Sequence, residues 1–161
     1  MQHDNFEENR VTFRGDELQE FVGNNNNGTK TIYIVDDDLD DRFFSEMHLR
    51  QSQYVQDVKG FSNAVELFEY FESMGIYNHT GINDEEHLVL LDIHMPTING
   101  IEVLDFLRTH PITSDMQVVL LTSDTCPDKV YEAHKLQATG YLQKPFSLEL
   151  FDEIIKNNSA N

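Results

Sequence analysis

The sequence predicts an α/β domain built on a five-stranded parallel sheet, doubly wound, with helices on both faces. Short continuous apolar runs, Ile32-Tyr33-Ile34-Val35, Leu88-Val89-Leu90-Leu91 and Val118-Val119-Leu120-Leu121, suit strands covered on both sides. A segment with helical apolar spacing follows each run, and five such βα units in a row call for a parallel sheet. The 161 residues accommodate one domain of roughly 100–150 residues and a tail. A domain of that size buries enough surface to fold without a disulfide or structural metal.

The first strand leads into a helix in which Phe43, Phe44, Met47 and Leu49 mark one broad apolar face. Tyr54 to Lys59 is a weaker strand, followed by Ala64, Val65, Leu67, Phe68 and Phe71 on a second helix. Leu88 to Leu91 is the clearest strand, and Ile101, Val103, Leu104, Phe106 and Leu107 form a helix after Gly100. Val118 to Leu121 follows, and Pro127 opens a helix expected to run through Ala138. Gly140-Tyr141-Leu142 is a short last strand, and Leu148, Phe151, Ile154 and Ile155 give the final helix.

Composition narrows the function. The chain carries 29 Asp and Glu against 11 Lys and Arg, a formal net charge of −18. Such acidity disfavours nucleic acid, which demands a basic face. No apolar run reaches the ~18 residues of a membrane span. The polar, acidic start from Met1 to Arg14 is unlike a signal peptide, and a lone Cys126 points to a reducing compartment. The expected location is the cytoplasm, so the sequons at Asn27, Asn78 and Asn157 read as accidental matches.

Residues 1–29 read as a tail and linker, ending in the polar stretch Gly23 to Thr29. Within them Leu18, Phe21 and Val22 have the spacing of one short amphipathic helix. Two readings stay open: a frayed tail resting on the domain, or a contact with a partner or a second copy in a homodimer. Residues 30–158 form the domain, and 159–161 a short end.

In open parallel sheets ligands bind at the carboxyl ends of the strands. Here the first strand ends in Asp36-Asp37-Asp38, the third in Asp92, the fourth in Thr122 and the fifth in Lys144-Pro145. Carboxylates converging on one crevice repel each other and raise one another's pKa. A hard divalent cation such as Mg²⁺ (or Mn²⁺), which takes oxygen ligands and keeps several waters, resolves that repulsion. Lys144 and Thr122 add a positive charge and a hydroxyl donor, which suit a phosphoryl group beside the metal. Asp38 reads instead as a helix N-cap, with Asp40 and Asp41 favourable in the first turn.

Four segments carry a resemblance: Ile32 to Asp38, Leu90-Leu91-Asp92-Ile93-His94-Met95-Pro96-Thr97-Ile98-Asn99-Gly100, Leu120 to Ser123 and Gly140 to Phe146. Together they resemble the receiver domain of two-component response regulators, over about Thr31 to Asn157. The Asp-x-x-Met-Pro-x-x-x-Gly run is its most specific part. The resemblance implies the flavodoxin-like strand order 2-1-3-4-5. It implies that Asp92 is the phosphoacceptor, a carboxylate nucleophile attacking a phosphohistidine. Asp36 and Asp37 then place the cation with Asp92, and the His94 backbone carbonyl is a further ligand. Lys144 pairs with the phosphoryl oxygens and Thr122 is the switch hydroxyl. Tyr141 is the aromatic whose rotamer follows Thr122, and the Lys144-Pro145 bond is cis.

The implied partners are a sensor histidine kinase or phosphotransfer protein, and a downstream protein on the face of the fourth helix, last strand and fifth helix. His94 and Asp124, two residues beyond Asp92 and Thr122, are expected to flank the path of an attacking water and set the phosphoryl lifetime. The long acidic connection from Gly75 to His87 departs from the family. With His110 to Thr113, it carries a weaker likeness to stand-alone regulators paired with bacterial phytochromes. Few residues follow the last helix, so the sequence reads as a stand-alone regulator that acts through a partner, not as an enzyme. Two alternatives remain: a haloacid-dehalogenase-like phosphatase, against which Asp40 breaks the Asp-x-Asp-x-Thr/Val pattern, and a pseudo-receiver that only binds proteins.

Overall fold

The computed structural model describes residues 29–76, 86–124 and 126–159. Among the described residues, five parallel strands alternate with five helices: β1 (Lys30–Val35), α1 (Leu39–Leu49), β2 (Val55–Phe61), α2 (Ala64–Ser73), β3 (His87–Asp92), α3 (Gly100–Thr109), β4 (Gln117–Thr122), α4 (Pro127–Lys135), β5 (Gly140–Gln143) and α5 (Leu148–Ser159). The sheet order is β2-β1-β3-β4-β5, with every pairing parallel. Fold and strand order are those expected. The tail with Leu18, Phe21 and Val22, and residues 77–85 of the acidic connection, lie outside the described residues.

The sheet order explains the hydropathy of each strand. β1, β3 and β4 are interior strands with helices on both faces, so their apolar runs are buried almost without break. β2 and β5 are edges, and their burial is interrupted by exposed residues. Alternate side chains of β1 feed two core clusters. Tyr33 and Val35 pack with Leu67 and Phe71 of α2, Val103, Leu104 and Leu107 of α3 and Ala133 of α4. Ile32 and Ile34 pack with Leu49 of α1 and Phe151 and Ile155 of α5.

Of the apolar residues expected on the core face of α1, Leu49 lies on it, but Phe43, Phe44 and Met47 do not. Only Ser45 and Leu49 of that helix are buried, while Phe43, Phe44 and Met47 are 61%, 62% and 55% exposed. Helical geometry gives the reason: Arg42, Ser45 and Leu49 recur at i, i+3 and i+7 along the stripe facing the sheet. Phe43, Phe44 and Met47 form a second stripe, joined by exposed Leu39, that faces outward. The fourth helix is also shorter than expected, ending at Lys135 instead of Ala138. Among the described residues, no helix is long and apolar enough to cross a membrane.

Candidate functional site

The chain turns back on itself between β1 and β3: β2 lies on one side of β1, while β4 and β5 follow β3 on the other. That reversal opens a crevice at the carboxyl ends of β1 and β3. The residues that leave those two strands are Asp36-Asp37 and Asp92. One carboxylate oxygen from each of the three lies within 4.8 Å of the other two. Asp36 and Asp92 are buried and Asp37 is exposed, which leaves one side of the cluster open to solvent.

Local hydrogen bonds aim these side chains. The Asp38 amide donates to Asp36 Oδ1 (2.9 Å), and Arg42 Nη1 donates to the Asp36 carbonyl (2.6 Å). The Asp36 amide donates to the Phe61 carbonyl, tying the end of β1 to β2. The His94 amide donates to Asp92 Oδ1 at 3.1 Å. Asp38 caps α1 by accepting from the Asp41 amide, as its position before the helix predicts.

Gly100, the first residue of α3, sits directly beneath the end of β3. A Cβ there would collide with the Asp92 carbonyl oxygen and come 2.8 Å from Ile93 Cα. Gly100→Ala is therefore expected to cost about 1–3 kcal/mol through overpacking and to displace the Asp92 loop. Thermal unfolding checks this, and a variant as stable as the parent contradicts the close approach.

Lys144 leaves β5 through a cis Lys144-Pro145 bond. Its Nζ stands 3.0 Å from Asp36 Oδ2, 3.0 Å from Asp41 Oδ2 and 3.4 Å from Asp92 Oδ2. Burial pulls the Lys144 pKa down, but hydrogen bonds to Asp36 and Asp41 and the charges of Asp92 and Asp36 outweigh it. The ammonium ends above its ordinary range. Asp92 moves upward to about 6, first because it is buried and second because Asp36 is near; Lys144 and the His94 amide only partly offset this. A site in which one carboxylate resists ionisation beside another is short of positive charge. Its donors are hard oxygens, so the residues present fit a divalent cation of the Mg²⁺ type.

Thr122 ends β4, buried, with its hydroxyl turned into its own loop. Oγ1 donates to the Asp124 carbonyl and accepts from the Asp124 amide. Tyr141 of β5 is half-buried against the core on the α2–α4 side and takes no part in the carboxylate cluster. His94 and Asp124 meet across the mouth of the site, Nε2 to Oδ2 at 3.1 Å. Asp41 is the residue that the sequence does not single out. Its contact with Lys144 spans 103 positions, and nothing local distinguishes it from an ordinary first-turn acid.

A family profile for the response regulator receiver domain matches residues 32–156. The probable chemotaxis protein CheY of Rhizobium etli is 30% identical over 118 residues, which cover 73% of this chain and 83% of that protein. A probable cyclic di-GMP phosphodiesterase of Vibrio cholerae is 28% identical over 131 residues, 81% of this chain; the match spans 27% of that longer protein. The solved Mn²⁺-bound response regulator Rcp1 shares the fold, with a TM-score of 0.59 and 23% identity, covering 81% of this chain and 92% of that one. With the profile spanning β1 to α5 and the acidic cluster at the ends of its strands, the chain belongs to the response regulator receiver domain family.

Proposed function

We propose that residues 30–158 act as a phosphorylation switch, in which Asp92 accepts a phosphoryl group from a histidine kinase or a phosphotransfer protein. The observation that carries this reading is the convergence of Asp36, Asp37, Asp92 and Lys144 at the carboxyl ends of β1, β3 and β5. With a pKa of about 6, Asp92 is mostly ionised at neutral pH and available as a nucleophile. An Asp92 carboxylate oxygen forms the new bond to phosphorus as the P–N bond to the donor imidazole breaks. The imidazole leaves with the electron pair and takes up a proton.

Asp36, Asp37, Asp92 and the His94 carbonyl would hold Mg²⁺ or Mn²⁺, which supplies charge neutralisation for the phosphoryl oxygens. Lys144 adds a further positive charge. The outward stripe of Leu39, Phe43, Phe44 and Met47 runs along the helix that carries Asp41 at the rim of the site, and offers the donor protein an apolar contact.

Phosphorylation adds roughly −1.5 to −2 charge and new acceptor oxygens, by analogy with hydroxyl esters. Thr122 can reach that group only by giving up the Asp124 carbonyl, so the β4–α4 loop is the element to be switched. Tyr141 lies next along the sheet, and the face of α4, β5 and α5 then presents the output to a downstream protein in the cytoplasm. The phosphatase alternative is not favoured, because Asp38 serves as the cap of α1 and Asp40 stands where that pattern has Thr or Val.

Incubation with Mg²⁺ and a small phosphodonor, followed by intact mass, tests the reading. A phosphate-sized gain that disappears in Asp92→Asn supports it; no gain with any donor or kinase favours a pseudo-receiver. The His94–Asp124 pair, two residues beyond Asp92 and Thr122, would flank the approach of an attacking water to Asp92. His94→Ala and Asp124→Ala are each expected to change the dephosphorylation rate, by about 2- to 10-fold if each removes around 0.5–1.4 kcal/mol of barrier difference. Unchanged decay in both variants sinks that role.

A further inference from the structure

We propose that Asp41 is a positioning residue for Lys144: it takes over the ammonium when a divalent cation claims Asp36 and Asp92, and it thereby strengthens cation binding. The inference rests on the metal-site reading above and extends it to a residue outside the cation cluster. Three carboxylates surround Lys144 Nζ, at 3.0 Å (Asp36), 3.0 Å (Asp41) and 3.4 Å (Asp92). Two of the three also belong to the cluster that fits a cation; Asp41 does not. A divalent cation and an ammonium held by the same two buried carboxylates repel each other, and burial weakens the screening of that repulsion.

Asp41 offers a way out. It stands on the first turn of α1 with its side chain 54% exposed, so its charge costs little desolvation. Its position is fixed by the bond from its amide to Asp38 Oδ1. On the same side a groove of about 460 Å³, lined by Asp41, Phe44, Ser45, Ser123, Lys144 and Pro145 among others, gives the lysine room to withdraw. The ammonium already touches Asp41, so withdrawal needs only the loss of its contacts with Asp36 and Asp92.

A calorimetric double-mutant cycle on Mg²⁺ affinity tests this in the full chain, with wild type, Asp41→Asn, Lys144→Met and the double variant. Asp41→Asn is expected to weaken Mg²⁺ binding by about 3- to 10-fold, a coupling of the size that contacting charges show. In the Lys144→Met background the same change is expected to matter by less than about 2-fold. Equal losses in both backgrounds overturn the proposal, because Asp41 would then act only as a distant negative charge. No loss beside the native lysine overturns it as well. A wild-type chain that binds no Mg²⁺ defeats the metal-site reading itself, an outcome distinct from both. If Lys144→Met fails to fold, acylation of Lys144 in saturating Mg²⁺, followed by peptide mass, replaces the cycle: Asp41→Asn reacts several-fold faster than wild type, and equal rates overturn the proposal.

Discussion

Asp92→Asn is expected to take up no phosphoryl group and, at the same time, to fold more stably than the native chain at pH 7 in the absence of metal. The first half follows from the loss of the only nucleophile in the proposed transfer. The second follows from the electrostatics of the resting site. Burial and the nearby Asp36 raise the Asp92 pKa from 3.8 to about 6. A carboxyl raised in the folded state contributes its stability in full below the unfolded value, near 4, and loses it as the pH climbs through about 6. At pH 7 the metal-free fold therefore carries an ionised Asp92 at a cost of about 1–3 kcal/mol, at 1.36 kcal/mol per pKa unit. Asn keeps the shape and removes the charge. Thermal unfolding in a chelator is expected to rise by roughly 2–10 °C at pH 7, with the difference shrinking toward pH 4. A variant destabilised at pH 7, or stabilised equally at both pH values, contradicts this account.

Lys144→Ala has the opposite sign. The lysine side chain is 13% exposed, and two of its partners, Asp36 and Asp92, are buried. Removing one member of a buried ion pair strands the charge that remains, at a cost of about 3–5 kcal/mol. That is a large share of the ~5–15 kcal/mol that holds a domain of this kind together. Metal-free denaturant unfolding is expected to show this loss. Mg²⁺ at 100 times its dissociation constant returns about 2.7 kcal/mol through binding to the folded state. The rescue is greater than in the native chain at equal Mg²⁺, because the cation no longer competes with an ammonium for Asp36 and Asp92. A loss under about 1 kcal/mol with no Mg²⁺ sensitivity contradicts the arrangement, since it would match an ordinary surface pair.

What the sequence discloses depends on where a residue stands in the sheet. β1, β3 and β4 are legible as unbroken apolar runs because both of their faces are covered. The acids that end β1 and β3 are conspicuous for the same reason, as charges after a run that tolerates none. β2 is obscure because it is an edge strand whose apolar residues are interrupted by the polar Gln56, Asp57 and Lys59. The aromatics of α1 mislead for a different reason. Apolar type marks a core face only where it follows the stripe toward the sheet, and small Ser45 holds that place here.

The candidate site divides along the same lines. Residues at strand ends are placed by the sheet and can be found from sequence; partners chosen across loops cannot. The Lys144–Asp41 contact and the His94–Asp124 pair join segments far apart in the chain. Thr122 differs, since its partner, the Asp124 backbone, stands only two residues on; the residue type is plain in sequence, but the turn of its hydroxyl into its own loop is not. Thr97 is another case. It adopts φ 72 in the loop between β3 and α3, a left-handed conformation that a β-branched residue rarely takes and that no local pattern announces.

The central claim, that Asp92 accepts a phosphoryl group beside a cation held by its acidic neighbours, has a direct chemical readout. After exposure to a small phosphodonor and Mg²⁺, the chain is reduced with borohydride, which converts an aspartyl phosphate to homoserine, and its peptides are weighed. The expected result is homoserine at position 92 and nowhere else, formed in Mg²⁺ and absent in chelator. Homoserine at another aspartate, or none at position 92 when Mg²⁺ and donor are both present, would contradict it.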